Sequence, residues 1–164
     1  VTRKIRCIER FEFVPSEPSR TLEYMAQLAG AKSGWINFLP GIANEEEVPP
    51  APTGLAAFFG MGTPGNLICT WVPSGQDRRG LDPMRLGIMH SRGGRVAADL
   101  RSYGVPIPET WGIEQDHPRR GLVLRVPPDD PYALVLDWAL RAGAVLCYVH
   151  LTGTWQAEVH LAIR

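Results

Sequence analysis

Nine side chains have the types and spacing to do chemistry, and they fall in three stretches. Glu158 and His160 stand two residues apart in TWQAEVHLAI. On an extended strand such residues emerge on one side, about 6–7 Å apart, so a carboxylate and an imidazole can address one substrate as acid and base. In WGIEQDHPRRG (111–121), Asp116 precedes His117, and Arg119 and Arg120 follow. The guanidiniums suit an anionic substrate, and Asp116 would orient or charge His117. Adjacent residues share a proton poorly, so a dyad here needs a more distant partner. In HSRGGRVAADLRSYG (90–104), a Gly93-Gly94 turn between Arg92 and Arg95 opens a helix. Free backbone amides, the positive helix end and two guanidiniums make an anion cradle, to which His90 and Ser91 add hydrogen bonds. The expected site is a ligand-binding one built from His90, Arg92, Arg95, Asp116, His117, Arg119, Arg120, Glu158 and His160. Within it, His90 meets the 111–121 loop.

Each pattern also has a structural reading. A glycine turn with surface arginines is ordinary, Asp-His-Pro can cap a turn, and exposed Glu and His at i and i+2 are common. The 90–104 spacing fits neither a P-loop nor a dinucleotide fingerprint. The turn is similar to the pyrophosphate-binding turn of N-acetyltransferases, whose Gly-x-Gly spacing is absent here. Cys7, Cys69 and Cys147 lie far apart in apolar contexts, which predicts buried, reduced thiols and leaves no zinc spacing. No cofactor is implied.

The elements that must position these residues follow from the pattern of the chain. With 164 residues, 45% hydrophobic and 21% charged, it has enough apolar content for a single domain spanning 1–164. Seventeen basic and seventeen acidic side chains cancel, which argues against nucleic acid as a partner. No apolar run approaches the roughly 20 residues of a membrane helix, and the charged N-terminal stretch reads as cytoplasmic rather than secreted.

Alternation over 4–14 predicts a strand, with Ile5, Cys7, Phe11 and Phe13 on one parity and Glu9 the exception. A helical stripe, Leu22, Met25, Ala26 and Ala29, ends at Gly30, and a second strand over 34–39 stops at Pro40-Gly41. An acidic, proline-rich loop covers 44–54. The runs 55–61 and 66–72 read as a β-hairpin. From 73 to 120 the chain reads as a loop-rich insertion holding one helix, over about 95–103. A strand over 122–126, a helix over roughly 131–142 ending at Gly143, and a hairpin turning at Thr152-Gly153 complete it.

Shifted by 113 positions, the first strand–helix–strand stretch overlays the last. Pro15, Pro18, Ala26 and Gly30 fall on Pro128, Pro131, Ala139 and Gly143. The expected fold is therefore α+β: duplicated βαβ(β) units, about 4–72 and 121–164, forming a largely antiparallel sheet. Helices cover one face, in a ferredoxin-like or related pseudo-symmetric sandwich, and 73–120 is inserted. The hairpin register puts Trp155, Ala157 and Val159 under the helices and Gln156, Glu158 and His160 on the opposite face, joined by Arg6, Arg10, Glu12 and Arg125.

His150-Leu151-Thr152 resembles one half of the paired His-x-Thr motif of 2H phosphoesterases, which also hold duplicated βαβ halves. The repeat puts Asn37 and Leu39 opposite His150 and Thr152, so two-histidine chemistry is excluded and His150 is expected on the helix-facing side beside Trp155, as a core or edge histidine. Three function classes stand. The first is a domain binding a small anionic ligand. The second is a protein-interaction or homodimerisation module with contacts at Leu55, Phe58, Phe59 and Trp111. The third is a hydrolase or acyl or phosphoryl transferase using His117 or His160 with a carboxylate.

Overall fold

A computed structural model describes residues 4–44, 67–75 and 82–163. Strand β1 (Lys4–Phe13) opens the chain, followed by α1 (Ser19–Ala31) and β2 (Trp35–Ile42). Then come β3 (Ile68–Val72), β4 (Met84–Met89), α2 (Ala97–Ser102), β5 (Gly112–His117), β6 (Gly121–Val126), α3 (Tyr132–Leu146) and β7 (Leu151–Ile163). The seven strands form one antiparallel sheet in the order β1-β7-β2-β3-β4-β6-β5. The protein is thus mixed α and β, with the three described helices packed over one face of the sheet.

The irregular parity of β1 has a physical cause. A bulge between Cys7 and Glu9 inserts one unpaired residue, so the side chains before it change face. Phe11 and Phe13 lie over Ala157 and Trp155 in the core, whereas Cys7 pairs with His160 on the opposite face and Arg6 turns to the helix side. Glu9 stays on the helix side because partners hold it there. Tyr24 of α1 donates its hydroxyl to Glu9 Oε2 (3.1 Å) and the Arg20 guanidinium lies 3.3 Å from Oε1.

Helix α1 runs through Gly30 and stops at Lys32, which takes a left-handed φ of 50°. Strand β2 continues past Pro40-Gly41, because a bulge there absorbs the missing proline N–H. The predicted insertion contains two strands, β4 and β5. In β4, Met84, Leu86 and Ile88 alternate into the core with Arg85, Gly87 and Met89. Residues 112–126 form the β5–β6 hairpin, whose turn requires Gly121 at φ +79°, pressed against the Ile88 carbonyl where a side chain has no room.

The predicted final hairpin is absent: 144–146 belong to α3 and Gly153 lies inside β7. Gly143 is a packing residue, not a helix stop. A Cβ there would stand 2.9 Å from Trp155 Cη2 and 3.0 Å from Cys69 Sγ, so its bare backbone lets α3 settle on the sheet. Eight α3 residues, from Val135 to Leu146, are buried. Each large apolar side chain among them contributes about 1.5–3 kcal/mol of transfer free energy.

The strand order also departs from the ferredoxin-like arrangement. Helix boundaries keep the 113-residue shift at their starts, Ser19 against Tyr132. However, β1–α1–β2 brackets one strand, β7, while β6–α3–β7 brackets three. Most of the acidic loop (45–54) and the run 55–61, with Leu55, Phe58 and Phe59, lie outside the described residues. Trp111, expected as a surface contact, is buried against Trp138 (centroids 5.1 Å) and donates its Nε1–H to Asp130 Oδ2 at 2.6 Å. His150 is exposed before β7 rather than in the core.

Candidate functional site

Antiparallel pairing gathers seven of the nine predicted residues at one end of the sheet. Strand β4 finishes there and β6 begins there, Ile88 facing Leu122 and His117 facing Gly121. The start of α2 and the end of α3 reach the same end, the first through Asp116 and the second through Arg92.

Helix α2 has no capping side chain of its own. Asp116, reaching across from β5, accepts the Val96 N–H at Oδ1 (2.9 Å) and the Ala97 N–H at Oδ2 (3.1 Å). The predicted anion cradle therefore holds the chain's own carboxylate. Arg92 is likewise committed. Its Nη2 donates to the Val145 carbonyl (2.6 Å) and its Nε to that of Leu146 (3.2 Å), which satisfies orphan acceptors where α3 stops. The guanidinium lies 4.4 Å from the ring centre of Tyr148 and 5.4 Å from that of Tyr103.

His90 is 2% exposed. Its Nδ1 accepts the Arg92 N–H at 3.3 Å, and its Nε2 is buried with no hydrogen-bond partner among the described residues. Burial pushes its pKa below the usual imidazole value; the Asp116 charge opposes this and Arg92 adds to it. In the β5–β6 turn, His117 Nδ1 accepts the N–H groups of Arg119 (3.0 Å) and Arg120 (3.2 Å). Its imidazole thus closes the hairpin, and the Arg119 and Arg120 side chains are left exposed. Arg95 is exposed as well.

Glu158 and His160 do not join this end. Leu151 starts β7 beside Ile42, and nine residues of rise, about 30 Å, separate it from His160. Both side chains lie on the face opposite the helices, as their spacing requires, in a polar line crossing four strands. Arg10 Nη2 of β1 sits 2.9 Å from Glu158 Oε1, and Glu158 Oε2 is 3.8 Å from His160 Nε2. The Asn37 amide of β2 lies 3.5 Å from the same nitrogen, and Thr70 of β3 donates to Asn37 Oδ1 at 2.8 Å. Trp35 stacks on the imidazole, with centroids 4.9 Å apart and planes at 12°. Glu114, the other carboxylate of the 111–121 stretch, points to the far end of its hairpin, where it accepts a hydrogen bond from Arg85 Nε at 3.2 Å.

Trp35, Asn37, Thr70, Tyr103 and Tyr148 carried no chemical signature in the sequence. Their partners are fixed by β7 entering between β1 and β2, and by the α3 terminus meeting the β4–α2 loop. A groove of about 720 Å³ lies between 106–109 and α3, and is lined by Ile107, Leu134, Trp138 and Arg141 among others. It contains none of the nine predicted residues. Among the described residues no group of His, Cys, Asp or Glu side chains converges as metal ligands, and no helix is long and apolar enough to cross a membrane.

Together the fold and this end define a mixed α/β protein on a single seven-stranded sheet, with an arginine-rich terminus. No protein-family model matches the chain, and no curated protein is significantly similar to it.

Proposed function

We propose that the protein is a binding module for an anionic ligand, which docks at the arginine-rich end through Arg95, Arg119 and Arg120. What supports this most is the charge imbalance there. Among the described residues, the elements of this end carry Arg92, Arg95, Arg119 and Arg120 against the carboxylates Asp116 and, on the first turn of α2, Asp99. Asp116 is already bonded to two backbone amides, and Arg95, Arg119 and Arg120 have no ion pair among the described residues. Exposed, uncommitted guanidiniums offer forked donors to carboxylates and phosphates.

The test is calorimetric titration at low salt with pyrophosphate, citrate and a glutamate-rich peptide. At least one probe should bind, weaken as salt rises, and lose at least tenfold in affinity when Arg95, Arg119 and Arg120 are all replaced by alanine. Absence of binding by every probe, or equal binding to the triple variant, refutes the reading. A second reading, acid–base chemistry on the open sheet face, draws on the Glu158–His160 contact alone. It predicts a hydrolytic activity that Glu158→Gln abolishes.

A further inference from the structure

We infer that the anionic ligand of this end is an acidic polypeptide, a segment or face of a partner protein with apolar side chains among its carboxylates. The inference rests on the reading of that end as an anion site and goes further by naming the partner's class. Three observations carry it.

First, the end is exposed. Small-molecule sites are concave and enclose most of their ligand. Arg95, Arg119 and Arg120 instead stand out from turns, and neither the 720 Å³ groove nor the adjoining 540 Å³ one includes them. Second, two large aromatic rings lie in the open beside Arg92 of the same end. Tyr148 is 62% exposed and Tyr103 48%. Both rings are set against Arg92, whose guanidinium is itself fixed by the Val145 and Leu146 carbonyls. The rings are therefore positioned before any partner arrives, which lowers the entropic cost of binding. Tyrosine and arginine are the side chains that dominate the energetics of protein interfaces. Third, the surrounding charge is complementary to carboxylates. Rim guanidiniums steer an acidic surface inward, and the tyrosines give it an apolar floor.

The experiment measures the affinity of the whole chain for four probes: a 20-residue peptide of glutamates interrupted by leucines, citrate, pyrophosphate, and a single-stranded 20-mer DNA. The peptide should bind at least a hundredfold more tightly than citrate or pyrophosphate, and more tightly than the DNA. Tyr148→Ala should weaken peptide binding at least tenfold while leaving the thermal midpoint unchanged, since its ring lies outside the core. Arg119→Ala with Arg120→Ala should weaken it comparably and flatten its salt dependence. Arg92 is left intact because it holds the end of α3. The inference is overturned if the small anions match the peptide, if the DNA binds best, or if Tyr148→Ala stays within twofold of the parent. In those cases the anion-binding reading survives. If no probe binds, both fail.

Discussion

Replacing Asp116 by alanine should destabilise the protein by about 2–3 kcal/mol. Helix α2 is six residues long and is capped by no side chain of its own, so the two bonds from Asp116 fix where it begins. Losing a capping side chain costs about 0.5–2 kcal/mol, and hydrogen bonds to a charged acceptor contribute about 1.5–3 kcal/mol. Val96 is fully buried, so water cannot easily replace the carboxylate at its N–H. The two estimates describe overlapping interactions and are not summed. Urea unfolding followed by far-ultraviolet circular dichroism should show a lower midpoint at an unchanged slope. The thermal midpoint should fall by about 4–12 °C, at about 2–4 °C per kcal/mol for a chain of this size. Asp116→Asn keeps one acceptor and should lose about half as much. The sign matters, because a carboxylate held in place for ligand chemistry is typically strained, and its removal stabilises. An alanine variant within 0.5 kcal/mol of the parent, or above it, would refute the capping argument.

Three further outcomes follow from the same coordinates. His90 has a lowered pKa when folded, because burial disfavours its charged form. Below the ordinary imidazole value of about 6.5 the unfolded chain therefore binds more protons, and stability falls with pH down to the lowered folded value while staying flat above the window. Urea unfolding from pH 7.5 to 4.5 should show a steeper loss for the parent than for His90→Asn, and parallel curves would count against it. Gly143→Ala should cost about 1–3 kcal/mol from overpacking against Trp155, Cys69 and Leu67, despite alanine's better helix propensity; an unchanged urea midpoint would show that α3 can shift away. Burial, and secondarily Cys147, pushes the Cys69 thiol pKa far up, whereas Cys7 is exposed. A chromogenic disulfide reagent at pH 8 should label Cys7 in the native protein and Cys69 only after unfolding.

What the sequence revealed was local. Alternation located β1 and β6, the helical stripe located α1, and the spacing of Glu158 and His160 correctly put them on one face. Where reading failed, a distant partner had decided. Glu9 broke the parity of β1 because Tyr24 and Arg20 hold it across from a bulge. Gly143 looked like a helix stop because its role depends on Trp155 and Cys69, neither of which is near it in sequence. In β4 the alternation of Met84, Leu86 and Ile88 was present but hidden by Arg85, Gly87 and the glycine- and arginine-rich flanks. The expectation that His90 meets the 111–121 loop came from the density of chemical side chains in both stretches, and Asp116 of that loop does carry a charge felt by His90. That Asp116, Arg92 and His117 would spend their polar atoms on backbone groups was not anticipated, since caps supplied across the fold leave no trace in spacing.

Strand β7 occupies the gap between β1 and β2, yet it is made more than a hundred residues after them. Until it emerges from the ribosome, the edges of the first two strands that it pairs with lack their partner for a row of amides and carbonyls. Closing that gap joins the most distant parts of the sequence, which makes folding slow and leaves the growing polypeptide open to wrong pairing in the meantime. The wedge that completes the sheet is thus also the step at which synthesis of this protein is most exposed to aggregation.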